Sequence, residues 1–226
     1  MLFFAIVTAS RMSPAFLFDL DGVIIHSMPL HTEAWQIYLK RYGIDPGDIE
    51  ARMHGRRNDQ IVESYFGALA PTDIFHHGAA KEALFREMMA PQFDRQLVPG
   101  IGAFLSRYDT VPKALGTNAE PANVDFVLDT AGLRSYFRVI VDGMQVERPK
   151  PHPEIYLTGA QRLGVEASRC VVFEDSPSGI AAARAAGMRV VGITTTADQL
   201  EGVDLHVRDF YDPQLVPWIN RFLSGR

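Results

Sequence analysis

The first periodic feature of the chain is a short unbroken apolar run, AFLF at 15–18, which stops at Asp19. Four apolar residues without polar alternation have the pattern of a strand buried on both faces, as in a parallel sheet. From Pro29 to about Phe93 the period changes to that of helices. His31, Ala34, Trp35, Tyr38 and Leu39 recur at helical spacing and stop at Gly43. Ile61, Val62, Tyr65 and Phe66 form a second stripe, and Ala83, Leu84, Phe85, Met88 and Met89 a third. After Leu97-Val98-Pro99-Gly100 strand and helix alternate again. Strands are predicted at 113–116, 139–142, 170–173 and 189–193, with helices at 101–108, 121–131, 153–163 and 177–186. Gly132, Gly164 and Gly187 are placed to end the last three helices. The fold class is therefore α/β, a parallel sheet covered by helices on both faces, with a helical block inserted after the first strand.

Length and composition narrow this picture. At about 150 residues per domain, 226 residues make roughly 1.5 domains, that is, one large domain or a core with an insert. A single cysteine rules out an intramolecular disulfide framework and a cysteine-rich zinc module, and Cys170, at the start of an apolar strand, reads as inert core. With 22 basic against 27 acidic residues the net charge is −5, which speaks against a protein that binds by neutralising nucleic-acid phosphates. The opening run MLFFAIVTAS has no basic residue before it and is far short of a bilayer span of roughly 20 residues. It is expected to be neither signal nor membrane anchor; Met12 reads as the natural start and residues 1–11 as an upstream extension. A cytoplasmic enzyme is the expectation, with no membrane or nucleic-acid partner.

Ligands of open parallel sheets bind beyond the carboxyl ends of the strands. Here the first strand ends in Asp19-Leu20-Asp21-Gly22, the second in Gly116-Thr117-Asn118 and the fourth in Glu174-Asp175-Ser176, while Lys150 follows the third by a loop. Each has an ordinary reading by itself, Asp-Gly as a turn and Thr-Asn or Glu-Asp-Ser as helix caps. Four carboxylates gathered at one sheet edge would repel one another. A hard divalent cation relieves that repulsion, and Mg²⁺ takes one or two carboxylates, waters and substrate phosphate oxygens.

Together, FLFDLDGV at 16–23, Thr117 after its strand, the lysine of KPHPEIY at 150–156 and VVFEDSPSGI at 171–180 resemble the four motifs of the haloacid-dehalogenase superfamily. Within it they are similar to the β-phosphoglucomutase-like and sugar-phosphatase branch. The resemblance implies a Rossmann-like core over 12–28 and 96–226, with an inserted α-helical cap over 29–95. It further implies that Asp19 is the nucleophile, forming an aspartyl-phosphate, and that Asp21 is the general acid and then base. The Mg²⁺ ligands it implies are Asp19, the backbone carbonyl of Asp21, Asp175, and Glu174 directly or through water. Thr117 and the N–H of Asn118 would hold phosphoryl oxygens, and Lys150 would pair with the carboxylate and the transferring group. A haloalkanoate dehalogenase has no use for Asp21, Glu174 and Asp175, so these residues favour phosphoryl transfer.

The resemblance also places substrate recognition on the cap. His31, Trp35 and Lys81 fall at positions similar to cap residues of the branch; Trp35 reads as packing rather than contact, and Met88 and Met89 as cap core. A lysine on a charged helix such as that around Lys81 ordinarily belongs to a solvated face. The segment His54-Gly55-Arg56-Arg57-Asn58 is the candidate specificity loop: Gly55 permits close backbone approach, and two arginines focus positive charge in an acidic protein. The same segment also fits an exposed helix start capped by Asn58. Asn58 stands where a mutase is expected to carry an arginine, and Ala119 where it carries a serine; both departures weaken the case for a mutase. His26, His76, His77 and His152 lack metal-ligand spacing. The expected function is a Mg²⁺-dependent phosphatase of a small phosphorylated sugar or related metabolite, working as a monomer or weak homo-oligomer. The alternatives are a sugar phosphomutase and, in a non-enzymatic class, a binding module on an inactive hydrolase scaffold.

Overall fold

A computed structural model describes residues 13–53, 56–197 and 199–225. In chain order it runs β1 (Ala15–Phe18), α1 (Met28–Arg41), α2 (Ile49–Met53), α3 (Asn58–Phe66), α4 (Pro71–Met89), α5 (Phe93–Gln96), α6 (Ile101–Arg107) and β2 (Lys113–Gly116). There follow α7 (Pro121–Thr130), β3 (Val139–Val141), α8 (Glu154–Leu163), β4 (Cys170–Glu174), α9 (Pro177–Ala185), β5 (Arg189–Ile193), β6 (Leu205–Val207) and α10 (Leu215–Leu223). The chain divides into two compact units, one made of Met1–His26 with Leu97–Arg226, the other of Ser27–Gln96. The reading of residues 1–11 as an extension falls outside the described residues. Among the described residues no helix is long and apolar enough to cross a membrane.

The first unit is built on a six-stranded sheet of order β3-β2-β1-β4-β5-β6, every neighbouring pair parallel. The chain winds outward from β1 through β2 to β3, then crosses back to β4 on the other side of β1. The switch point of this Rossmann-like sheet therefore lies between β1 and β4, where such sheets bind ligands. All four residues of β1 are fully buried because both its faces and both its edges are covered. Successive side chains of a strand point to opposite faces. Phe16 and Phe18 therefore meet Phe104 of α6, Phe173 and Phe210 on one side, with Phe18 and Phe173 stacked at 4.5 Å. On the other side Ala15 and Leu17 join Ile155, Tyr156, Ala160, Val172 and Ile180. A Cβ on Gly159 would lie 3.0 Å from Leu17 Cδ2, so this glycine lets α8 sit close to the sheet. Removing a ring such as Phe173 from this packing costs about 3–5 kcal/mol.

The strand predicted over 139–142 ends at Val141. Asp142 leaves the ladder because its carboxylate accepts from Met144 N at 2.9 Å and from Gln145 Nε2 at 2.6 Å, closing a turn. The fourth strand extends one residue further, to Glu174. β6 and α10 were not anticipated: β6 has three residues, too few to show a period.

In the second unit α1 packs on α4 and α3 on α4. Leu30, Ala34, Trp35, Tyr38 and Leu39 of α1 and Leu84, Phe85 and Met89 of α4 form its buried stripes, while Met88 is half-buried and Ala83 lies outside the stripe, exposed. Lys81, whose ordinary place on a charged helix is a solvated face, is buried with 1% of its surface exposed, and its neighbour Glu82 is buried with 3%.

Candidate active site

The β1 ladder sets Phe18 opposite Phe173, and the N–H of Asp19 donates to Phe173 O at 3.0 Å. Asp19 and Glu174 are thereby delivered side by side at the carboxyl end of the two central strands. Beyond Asp19 the chain makes one tight turn, in which the Leu20 carbonyl accepts from Ile24 N at 2.8 Å and Ile25 N at 3.2 Å. Gly22 supplies the left-handed φ of 73° that the turn requires. Asp21, within this turn, is half-buried.

Lys150 Nζ lies 2.9 Å from Asp19 Oδ1 and 2.7 Å from Glu174 Oε1, joining the ends of β1 and β4 electrostatically. Tyr156 of α8, fully buried, donates its hydroxyl to the same Glu174 oxygen at 2.7 Å, and its ring centroid is 4.9 Å from Lys150 Nζ. The other oxygen, Oε2, accepts from the backbone N–H of Asp175 at 2.9 Å and of Ser176 at 3.0 Å, and from Ser176 Oγ at 3.0 Å. Ser176 also caps α9, its Oγ accepting from Gly179 N at 3.1 Å, so helix start and carboxylate are tied together. A Cβ on Gly179 would lie 1.6 Å from Glu174 Oε1; only glycine admits this carboxylate against the helix.

Asp19, Glu174 and Asp175, all buried, offer ligand atoms within 4.8 Å of one another. Burial, which Lys150 opposes and the charges of Glu174 and Asp21 reinforce, holds the Asp19 carboxyl up at about 7. Burial, then the neighbouring Glu174 and Asp19, pushes Asp175 well above the ordinary carboxylate range. Glu174 goes the other way: burial raises it, but Lys150 and the hydrogen bonds of Tyr156 and Ser176 outweigh that and keep it charged. Asp19 Oδ1 is buried, with Lys150 Nζ 2.9 Å away as its charged partner. Three clustered, buried carboxylates that resist ionising together, with Lys150 reaching only two of them, fit a divalent cation.

Thr117 follows β2, fixed by its N–H to Val141 O at 3.0 Å, while its Oγ1 accepts from Ala119 N at 3.2 Å. Asn118 Oδ1 accepts from the backbone N–H of Lys150 at 3.4 Å. A Cβ on Gly143 would lie 2.5 Å from Asn118 O, so the loops after β2 and β3 touch through that glycine.

In the helical unit His31, Lys81 and Asn58 converge on Glu82, a residue the sequence reading passed over. Lys81 Nζ hydrogen-bonds Glu82 Oε1 and lies 3.1 Å from His31 Nδ1; Asn58 Nδ2 donates to the same Oε1 at 2.7 Å. His31 stacks on Phe85 at 3.7 Å, and Lys81 Nζ is 5.0 Å from the Trp35 ring centroid. Burial raises the Glu82 carboxyl, but Lys81, His31 and the hydrogen bonds lower it more, to about 2. Arg56 and Arg57 are not drawn into this cluster: Arg56 is exposed, and Arg57 stands at the N-cap of α3, with its N–H donating to Gln60 Oε1 at 3.1 Å. Asn58 is accordingly the first residue of the helix rather than its cap. Gly55, with His54, lies outside the described residues. Tyr156 and Glu82 were missed because an aromatic in an apolar stripe and a glutamate beside a lysine have common structural readings; the short spacing of Tyr156 from Lys150 is the signal that could have found it.

Residues 14–187 match the family model described as haloacid dehalogenase-like hydrolase. The chain is 36% identical over 181 residues to the fructose-1-phosphate phosphatase YqaB of Escherichia coli (strain K12), covering 78% of this chain and 94% of that protein. It is 30% identical over 208 residues to the β-phosphoglucomutase of Bacillus subtilis (strain 168), covering 88% and 90%. Its fold superposes on the crystal structure of β-phosphoglucomutase from Clostridium difficile with a TM-score of 0.81 at 26% identity, over 95% of this chain and 98% of that one. The carboxylates at the β1 and β4 ends, the lysine between them and these likenesses agree, and the chain is an enzyme that belongs to the haloacid dehalogenase-like hydrolases.

Proposed function

We propose that the chain is a Mg²⁺-dependent phosphatase that hydrolyses a small phosphorylated sugar or related metabolite through an aspartyl-phosphate on Asp19. The observation that carries this reading is Asp19 itself, a buried carboxylate 2.9 Å from Lys150 Nζ and grouped with Glu174 and Asp175.

Asp19 attacks phosphorus and the bond from phosphorus to the substrate's alcohol oxygen breaks, while Asp21 gives that oxygen its proton. Water then attacks the aspartyl-phosphate, Asp21 takes its proton, and inorganic phosphate leaves with the Asp19 carboxylate restored. Asp19, Asp175, the Asp21 carbonyl and Glu174, directly or through water, would hold Mg²⁺, which when bound offsets charge on the carboxylates and the phosphoryl oxygens. Lys150 balances the charge of Asp19 as the phosphoryl group arrives, and Thr117 and the Asn118 N–H orient the phosphoryl oxygens. His31, Lys81 and Asn58 are assigned to recognition of the rest of the substrate, together with Gly55, Arg56 and Arg57. The sugar class rests on likeness to a fructose-1-phosphate phosphatase and to hexitol phosphatase A of Escherichia coli (strain K12).

Asp19→Asn is expected to abolish turnover of phosphate esters with the fold retained by circular dichroism; near-normal phosphate release by that variant would overturn the mechanism. The second reading, a sugar phosphomutase, is favoured by the likeness to β-phosphoglucomutases. Against it stand Asn58 and Ala119, which replace the arginine and the serine expected of a mutase. Feeding β-glucose 1-phosphate with a trace of the bisphosphate separates them: free phosphate supports the phosphatase, glucose 6-phosphate the mutase.

A further inference from the structure

Three consecutive threonines, 194–196, follow β5. Hydroxyls in such a turn ordinarily satisfy backbone groups nearby in sequence. Thr194 lies beside the adjacent strand, its N–H donating to Val207 O at 2.9 Å. The next two reach much further. Thr195 Oγ1 donates to Gly22 O at 2.5 Å, and Thr196 Oγ1 donates to Asp175 O at 2.7 Å. Gly22 directly follows Asp21, and Asp175 is one of the three clustered carboxylates. These two segments already touch, because the Asp175 carboxylate lies over Gly22, where an added Cβ would be 1.8 Å from Oδ2. The turn after β1 and the loop after β4 are thus held against each other by side-chain packing and pinned by neighbouring hydroxyls on a third segment.

From this arrangement we infer that Thr195 and Thr196 are positioning residues for the cation site. They set the spacing between the Asp19–Asp21 turn and Asp175 without touching cation or substrate. The role rests on the proposed cation. Hydrogen-bonding groups behind metal ligands typically contribute about 10–100-fold to metal affinity. Loss of either hydroxyl removes the donor from a part-buried carbonyl and frees one ligand segment to shift relative to the other.

The test is a MgCl₂ titration of the full chain without substrate, read as the thermal unfolding midpoint. Thr195→Val and Thr196→Val keep the shape and lose the donor; Thr195→Ser and Thr196→Ser keep the donor. The valine variants are expected to need about tenfold more Mg²⁺ for half of the midpoint shift, and the serine variants to match the wild type. If a valine variant fails to fold, the corresponding alanine variant takes its place. Half-saturation within twofold of wild type in the hydroxyl-free variants, with a midpoint lowered equally at every Mg²⁺ concentration, would reduce the threonines to a structural role and overturn the inference alone. A wild-type chain with no Mg²⁺-dependent shift would overturn the cation reading and the inference with it.

Discussion

The carboxylate of Asp175 occupies the space in which a side chain on Gly22 would stand: a Cβ built there lies 1.8 Å from Asp175 Oδ2, and the backbone φ at Gly22 is 73°. Glycine is required twice over, for the turn and for the close approach. Gly22→Ala is expected to displace Asp175 or open the turn after β1, lowering kcat/KM on the order of 100-fold, as a misplacement of about 1 Å does. Steady-state phosphate release checks this, and a variant with wild-type kcat/KM would show that the contact does not matter.

Tyr156→Phe keeps the ring beside Lys150 and removes the one hydroxyl that donates to Glu174 Oε1. Because the acceptor is a charged carboxylate, the loss is expected to cost about 1.5–3 kcal/mol in urea denaturation. The activity of the variant is expected to fall with a changed Mg²⁺ requirement, since Glu174 loses one of its fixed partners. An unchanged denaturation midpoint would contradict the contact.

Glu82 gives the helical unit an acid dependence of its own. Its carboxyl sits at about 2 in the folded chain against an ordinary value of 4.5, because Lys81, His31 and Asn58 together overcome its burial. A depressed carboxyl stabilises the fold above its unfolded value, and that stabilisation is lost as pH falls from about 4.5 through about 2. Glu82→Gln is expected to flatten that acid limb and, by leaving Lys81 buried without its counter-charge, to destabilise the chain at neutral pH by about 3–5 kcal/mol. Denaturation midpoints measured across this pH range in both proteins decide it; parallel acid limbs would remove Glu82 from the account.

The sheet was legible in the sequence where the chain is buried on every side. AFLF at 15–18 and the run from Cys170 have no polar alternation because they are central strands flanked on both edges and both faces. Asp19, Glu174 and Asp175 were legible for a related reason: acidic residues immediately after buried strands in a parallel sheet have only one place to go. The short strand at Leu205–Val207 was not legible, being three residues long at the edge of the sheet with His206 exposed. Nor was the burial of Lys81 and Glu82, because a charged pair on a helix face is normally solvated, and only the arrival of His31 and Asn58 from other helices makes a buried site for it. The threonines at 195 and 196 are informative only once the carbonyls they reach, far away in sequence, are known.

The central claim is that Asp19 carries the phosphoryl group in turnover. The most direct measurement is rapid acid quench of the chain during turnover of a hexose phosphate with Mg²⁺, followed by peptide mass spectrometry. A gain of one phosphoryl group on the peptide containing Asp19, absent in Asp19→Asn, is the predicted result. Phosphate release in the steady state with no phosphoryl group on that peptide, or with one on another residue, would contradict it.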